Sequence, residues 1–205
     1  MTKQPLKVYM AGPDVFLDNA LAVADQKREI LKAHGFTGLH PFDNNVMHAG
    51  VSPDEIARTI FRKNVGLMDQ ADVILANLTP FRGVSADAGT VFEVGYMYAK
   101  NKPIFAYTNV ADVLCDRVKS ANGVALTCDA DGLYWDKEQL NVENFGLKDN
   151  LMIDCAIFAQ DKMLDHEQSR FLALKTPEGE TLGSLAAFEK TVSLMAEVLL
   201  FDSAD

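Results

Sequence analysis

Hydrophobic residues in this chain gather into short unbroken runs, separated by longer amphipathic stretches. Leu6-Lys-Val-Tyr-Met-Ala11 predicts a first strand, ended by Gly12-Pro13. An amphipathic segment from about Leu17 to His34 predicts a helix, and Gly35 stands in the position just past a helix end. Phe36 to His40 is a short strand, and Pro41-Phe-Asp-Asn-Asn45 a loop rich in side chains that hydrogen-bond locally. Ser52-Pro-Asp-Glu55 opens the next helix with a serine cap, a proline in the first position and acids in the first turn. That helix is expected to reach about Gln70, with Ile56, Ile60, Leu67 and Met68 on its apolar stripe. Asn64 falls on the same stripe, where a polar group needs a partner or a purpose. By spacing alone it reads as a satisfied core amide.

Val73-Ile-Leu-Ala-Asn-Leu78 is continuously apolar, as in a strand covered on both faces, and Pro103-Ile-Phe-Ala-Tyr107 repeats the pattern. Between them lie a glycine-rich turn and a helix carrying Glu93. Strands alternating with helices predict an α/β fold, a doubly wound parallel sheet of flavodoxin-like or Rossmann-like type. Ligands in such sheets sit beyond the carboxyl ends of the strands. Tyr9 to Asp14, Pro41 to Asn45 and Thr79 to Glu93 all fall at those ends. After Asn109 the pattern weakens. Asp149 to Leu164 reads as helical, as does Thr181 to Phe201, with Leu182, Leu185, Phe188, Val192, Met195, Val198 and Leu199 on its apolar face. One domain over 1–205 accounts for this, with a core of about 6–155 and a helical C-terminal extension of about 160–205.

Composition narrows the function. With 205 residues, 48% of them hydrophobic, the chain can bury a sizeable core. A formal charge of -10 and a pI near 4.8, with no offsetting basic cluster, argue against nucleic-acid binding and leave neutral small molecules open. The amino terminus lacks a signal-peptide apolar run, no stretch approaches membrane-spanning length, and Cys115, Cys128 and Cys155 form no paired framework. A cytoplasmic location is expected. His34, His40, His48 and His166 are scattered without an HExxH, so no metal is expected. No P-loop, GxGxxG or GxSxG motif is present, and no cofactor is expected.

What remains is carboxylate chemistry in Asp87-Ala-Gly-Thr-Val-Phe-Glu93. Two acids flank a glycine turn, and the second is expected in the first turn of a helix. There the helix dipole favours its ionised form and makes it available as a nucleophile. The other acid can handle a proton or a hydroxyl. Thr90-Val-Phe-Glu93 also fits a capping box, in which the glutamate merely bonds back to the cap residue.

Val8-Tyr-Met-Ala-Gly-Pro13, Pro41-Phe-Asp-Asn-Asn45, Ala71-Asp-Val-Ile-Leu-Ala-Asn-Leu78, Asp87 to Tyr96 and Asn150-Leu-Met152 occur in that order. The ordered set, from about residue 6 to residue 155, resembles the nucleoside 2-deoxyribosyltransferase family. The resemblance implies exchange of bases on a 2'-deoxynucleoside with retention, in nucleoside salvage. It implies a covalent deoxyribosyl-glutamate on Glu93, with Asp87 holding the sugar hydroxyls and Tyr9 orienting the nucleophile. Asn150 and Met152 match an element lent to a neighbouring subunit, implying a homo-oligomer, dimer or higher, with shared sites. Asp14 and Phe16 are base-contacting candidates, and Asn45 replaces a glutamine frequent in the family's base pocket. Asn64 falls where better-known members carry an aspartate that protonates the leaving base. An amide cannot do this, although it can hydrogen-bond a base; water, Asp87 or Asp14 are the other sources. Asp72 is read as structural. Two alternatives stand beside transfer. One is hydrolysis of a 2'-deoxynucleoside 5'-monophosphate, disfavoured by the charge of Asp87. The other is a non-catalytic nucleoside sensor on the same fold.

Overall fold

The computed structural model describes residues 4–43, 50–158, 170–176 and 182–201, with Phe201 described by its backbone alone. Five parallel strands form the central sheet: β1 (Lys7–Ala11), β2 (Thr37–Leu39), β3 (Val73–Asn77), β4 (Ile104–Thr108) and β8 (Phe171–Ala173), in the order β2-β1-β3-β4-β8. This is the flavodoxin-type winding. Tyr9 lies in register with Ile74 of β3 and Leu39 of β2, Ile74 with Ile104, and Tyr107 with Leu172.

The helices are α1 (Ala20–Ala33), α2 (Pro53–Gln70), α3 (Ala88–Ala99), α4 (Leu114–Asn122), α5 (Leu151–Phe158) and α6 (Ala186–Ala196). Alternation along the strands divides the core into two layers. Tyr9, Ile74, Ala76, Ile104 and Ala106 meet Leu67 and Met68 of α2, Val94 and Met97 of α3, and Ile153 and Ile157 of α5. Val8, Met10, Leu75, Phe105 and Tyr107 meet Leu31 of α1 and Phe188, Val192 and Met195 of α6. Each large side chain so buried stabilises the fold by roughly 1.5–3 kcal/mol before the entropy of ordering is subtracted.

Helix starts follow local chemistry. Ser52 caps α2, its hydroxyl accepting from Glu55 N at 3.3 Å, as the Ser-Pro-Asp-Glu pattern predicts. The first predicted helix begins later than Leu17, because Pro13–Phe16 forms a separate 3-10 turn. The apolar stripe of α2 reaches the core only in its second half. Ile60 is 39% exposed and its neighbour Phe61 54%, whereas Leu67 and Met68 are buried. Asp72 is structural as expected, its Oδ2 accepting from Lys7 N at 2.8 Å.

The C-terminal helical extension also contributes to the sheet. Phe171–Ala173 supplies the fifth parallel strand, and α6 shares with α1 the cover of one sheet face. The predicted helix from Asp149 is observed as Leu151–Phe158; residues 159–164 of that prediction, and Thr181 of the next, lie outside the described residues. The weak pattern after Asn109 hides α4 and a small antiparallel sheet of β5 (Thr127–Cys128), β6 (Tyr134–Trp135) and β7 (Asn141–Val142). No helix among the described residues is long and apolar enough to cross a membrane.

Candidate active site

The site is built where β1 and β3 end and α3 begins. Tyr9, in β1, is fully buried on the α3 side of the sheet. Its hydroxyl donates to Oε1 of Glu93 at 2.5 Å, across a sequence separation of 84 residues. Val94 and Met97 anchor α3 on the sheet, which turns the Glu93 face of the helix back toward β1. Asp87 is the cap of α3, its Oδ2 accepting from Thr90 N at 3.0 Å and from Thr90 Oγ1 at 3.2 Å. The half-buried Asp87 therefore holds the helix end with one oxygen, Oδ2.

Two expectations are corrected here. The cap is Asp87 and not Thr90, so Glu93 stands in the second turn of α3 and makes no capping-box bond. Nor is Glu93 biased toward ionisation. Burial pushes its pKa up to about 7; the Tyr9 hydrogen bond opposes that rise and the Asp87 charge adds to it. Burial likewise pushes the Tyr9 hydroxyl far up, and the Glu93 charge adds to this, so Tyr9 stays a donor. The pair is a poised carboxylate and a fixed proton donor, and near pH 7 the carboxylate can serve either as nucleophile or as acid.

Asp14 does not face a ligand with a free carboxylate. It is 3% exposed, with Oδ2 paired to Lys27 Nζ at 2.6 Å and Oδ1 accepting from Asn77 Nδ2 at 3.0 Å. Burial would raise its pKa, but Lys27, Asn77 and His40 outweigh that and hold it below the usual carboxylate range. Asp14 is thus no source for the leaving base's proton. The pair fixes the turn after β1, and a Cβ on Gly12 would stand 2.5 Å from Asp14 Oδ1 and 2.6 Å from Asn77 Cβ, so only glycine fits. His40 is buried in the same cluster, and burial, with Lys27 and Arg28 adding, pushes its pKa down to about 4 against the pull of Asp14 and Asp43.

Phe16 is 59% exposed and stacks on Phe81 with ring centroids 5.2 Å apart and 8° between planes. Arg82 lies over both rings, 4.7 Å from Phe81 and 5.4 Å from Phe16, with a left-handed backbone (φ 55). The sequence reading does not single out Phe81 and Arg82, although an aromatic and a cation side by side in the loop after β3 were the available signal. Asn64 is half-buried on α2, among the residues with a bonded partner. Asn45, predicted for the base pocket, lies outside the described residues. Asn150 opens α5: its Nδ2 donates to Glu143 Oε1 at 2.7 Å and its Oδ1 accepts from Met152 N at 3.0 Å. Met152 points outward, 73% exposed. Among the described residues no group of three or more His, Cys, Asp or Glu side chains could hold a metal ion.

The family described as nucleoside 2-deoxyribosyltransferase matches residues 8–152. An uncharacterized protein of Schizosaccharomyces pombe is 34% identical over 164 residues, covering 74% of this chain and 78% of its own. A Thermofilum pendens protein named a candidate 2'-deoxynucleoside 5'-phosphate N-hydrolase is 28% identical over 163 residues, 78% of this chain and 95% of its own. Among solved structures, a 2-desoxiribosyltransferase from Leishmania mexicana superposes with a TM-score of 0.58 at 29% identity, covering 92% of this chain and 98% of that one. The matched span holds Tyr9, Asp87, Glu93, Asn150 and Met152, and the chain belongs to the nucleoside 2-deoxyribosyltransferase family.

Proposed function

We propose that this chain exchanges the base of a 2'-deoxynucleoside through a covalent deoxyribosyl intermediate on Glu93. The observation that carries the reading is the 2.5 Å Tyr9–Glu93 hydrogen bond on a half-buried carboxylate one helical turn and a half from Asp87. Asp87 binds the deoxyribose hydroxyls with the oxygen not spent on capping α3. An ionised Glu93 oxygen attacks C1', the C1'–N bond breaks, and its electron pair leaves on the base, which takes up one proton. The nitrogen of a second base then attacks C1', the Glu93–C1' bond breaks, and that base loses a proton. Two inversions give retention. Asn64 has no proton to give and Asp14 is held ionised, so water or Asp87 supplies it. Phe16, Phe81 and Arg82 line the base side, where an aromatic face stacks on any base. No cofactor enters the scheme.

The T. pendens relative supports a second reading, hydrolysis of a deoxynucleoside 5'-phosphate. The carboxylate of Asp87 at the sugar side, in a chain of net charge -10, opposes a phosphorylated substrate. The exposed Met152 and the apolar Phe61, Phe92 and Tyr98, 46–54% exposed on α2 and α3, support a homo-oligomer whose subunits share sites. A cytoplasmic role in salvage fits this chemistry.

Incubation with deoxyinosine and adenine, followed by chromatography, tests the assignment. Deoxyadenosine with little free deoxyribose is the expected result; free hypoxanthine alone would make the protein a hydrolase. No turnover of deoxynucleosides or their monophosphates would leave a sensor. A deoxyribosyl adduct on the peptide containing Glu93 is expected by mass spectrometry, and Glu93→Ala is expected to abolish exchange.

A further inference from the structure

A buried carboxylate that the proposed chemistry does not use holds the backbone beside Asp87. Asp149 is 1% exposed, and both its oxygens are engaged. Oδ1 accepts from Ser85 Oγ and from Asn150 N; Oδ2 accepts from Ala86 N at 2.9 Å and from Arg117 Nη2 at 3.3 Å. Arg117, itself buried in α4, donates from Nε to Val84 O at 2.7 Å and from Nη1 to Asp112 O at 2.6 Å. Three segments far apart in sequence therefore meet on one ion pair: the loop before α3, helix α4 and the start of α5. The pair grips the loop at Val84 O, Ser85 Oγ and Ala86 N, and the next residue is Asp87.

A buried ion pair is a poor device for stability alone, since desolvation consumes most of the attraction. Charge-assisted hydrogen bonds to backbone do fix geometry, and here they fix it one residue from the sugar-binding carboxylate. Capping contributes from the other side, through Thr90 N and Oγ1. Between the two anchors residue 87 has little backbone freedom.

We propose that Asp149 is a positioning residue for the deoxyribose site: with Arg117 it clamps Val84–Ala86 so that Asp87 presents its free oxygen to the sugar. The same carboxylate holds Asn150 N, so the sugar loop and the Asn150–Met152 element keep a fixed relation. This rests on the reading of Asp87 as the sugar-binding group.

The test is Asp149→Asn, which keeps shape but puts an amide N–H where an acceptor is needed. Binding of deoxyinosine is measured in Glu93→Gln protein, where no turnover interferes, and amide hydrogen exchange is followed over residues 84–90. Asp149→Asn is expected to weaken deoxyinosine about tenfold, the scale of one charge-assisted contact, and to speed exchange at 86–90 while β1, β3 and β4 keep their protection. When Asp87 has already been changed to Asn, Asp149→Asn is expected to cost no further affinity. Equal losses in both backgrounds, unchanged exchange at 86–90, or exchange accelerated throughout the sheet would each overturn the proposal. If the Glu93→Gln protein binds no deoxynucleoside, the functional reading fails, and the exchange pattern alone decides whether the clamp exists.

Discussion

Glu93 answers two opposed demands. Its pKa of about 7, against an ordinary value of 4.5, means the folded protein holds a proton there that the unfolded chain has released. Stability is therefore fully present below about pH 4.5 and declines as pH rises toward 7, staying low above it. Glu93→Gln, which has no charge to bury, is expected to raise stability at pH 8 by about 1–3 kcal/mol, a melting shift of several degrees, and to change little at pH 4. Identical melting shifts at the two pH values would show that burial is not what perturbs this group. Activity runs the other way, because the nucleophile must be ionised: kcat/KM is expected to fall below about pH 7. Tyr9→Phe removes the hydrogen bond that opposes the rise, so the acid limb should move to higher pH, with a larger loss at pH 6 than at pH 9. A limb that stays in place would sink the coupling of Tyr9 to Glu93. Sequence made these residues visible but not their state. Asp87 with Thr90 and Thr90 with Glu93 present the same three-residue spacing, so local chemistry alone could not choose the cap. The ionisation of Glu93 depends on Tyr9, which only the sheet brings near.

Among the elements, the turn after β1 is held by one ion pair with α1. Lys27 and Asp14 are 3% and 4% exposed as side chains, so removing one leaves the other buried without its counter-charge. Lys27→Met is expected to cost about 3–5 kcal/mol at pH 7, and Asp14→Asn added to it to recover part of that loss. The sign of the pH dependence follows from Asp14. Its depressed pKa contributes stability above the usual carboxylate range that is lost on acidification, and without Lys27 that contribution disappears. In the variant the burial that raises the Asp14 carboxyl is no longer outweighed by Lys27, so Asp14 takes up a proton as pH falls and the deficit of Lys27→Met in urea denaturation should shrink from pH 7 toward pH 4; a constant deficit would assign it to lost packing on Tyr107 and Phe188, over which Nζ lies at 5.6 and 5.2 Å. The elements from β1 to β4 were legible because each carries its own signal: unbroken apolar runs for the covered strands, Ser52-Pro53 for the start of α2. Asp14 was not, since an acid in a ligand-side loop looks available until the helix that supplies Lys27 is packed against it.

For the molecule as a whole, the family match ends at residue 152, yet the sheet does not. β8 pairs with β4 through Ala106, Tyr107 and Thr108, and α6 covers Phe105 and Tyr107 with Phe188, Val192 and Met195, all of them essentially inaccessible. From sequence this region read as an appended helix. A three-residue strand has too few positions to show a period, and the apolar face of α6 cannot say which sheet it meets. Tyr107 illustrates the point: its ring packs edge-on against Phe188 at 5.7 Å, a contact between residues 81 positions apart. If the C-terminal segment is a structural layer, a chain cut after residue 158 leaves the edge of β4 and the part of the apolar sheet face that α6 covers open to water. Such a fragment retains every proposed site residue, from Tyr9 to Met152, and still should not bind substrate, because it should aggregate or fold only partly. Phe188→Ala gives the graded version, an expected loss of about 3–5 kcal/mol in denaturant unfolding. It should leave KM for the deoxynucleoside unchanged below the melting temperature, since α6 lies on the sheet face opposite Tyr9 and α3. A soluble 1–158 fragment with native circular dichroism would show instead that β8 and α6 are accessory to the fold, as the sequence pattern suggested.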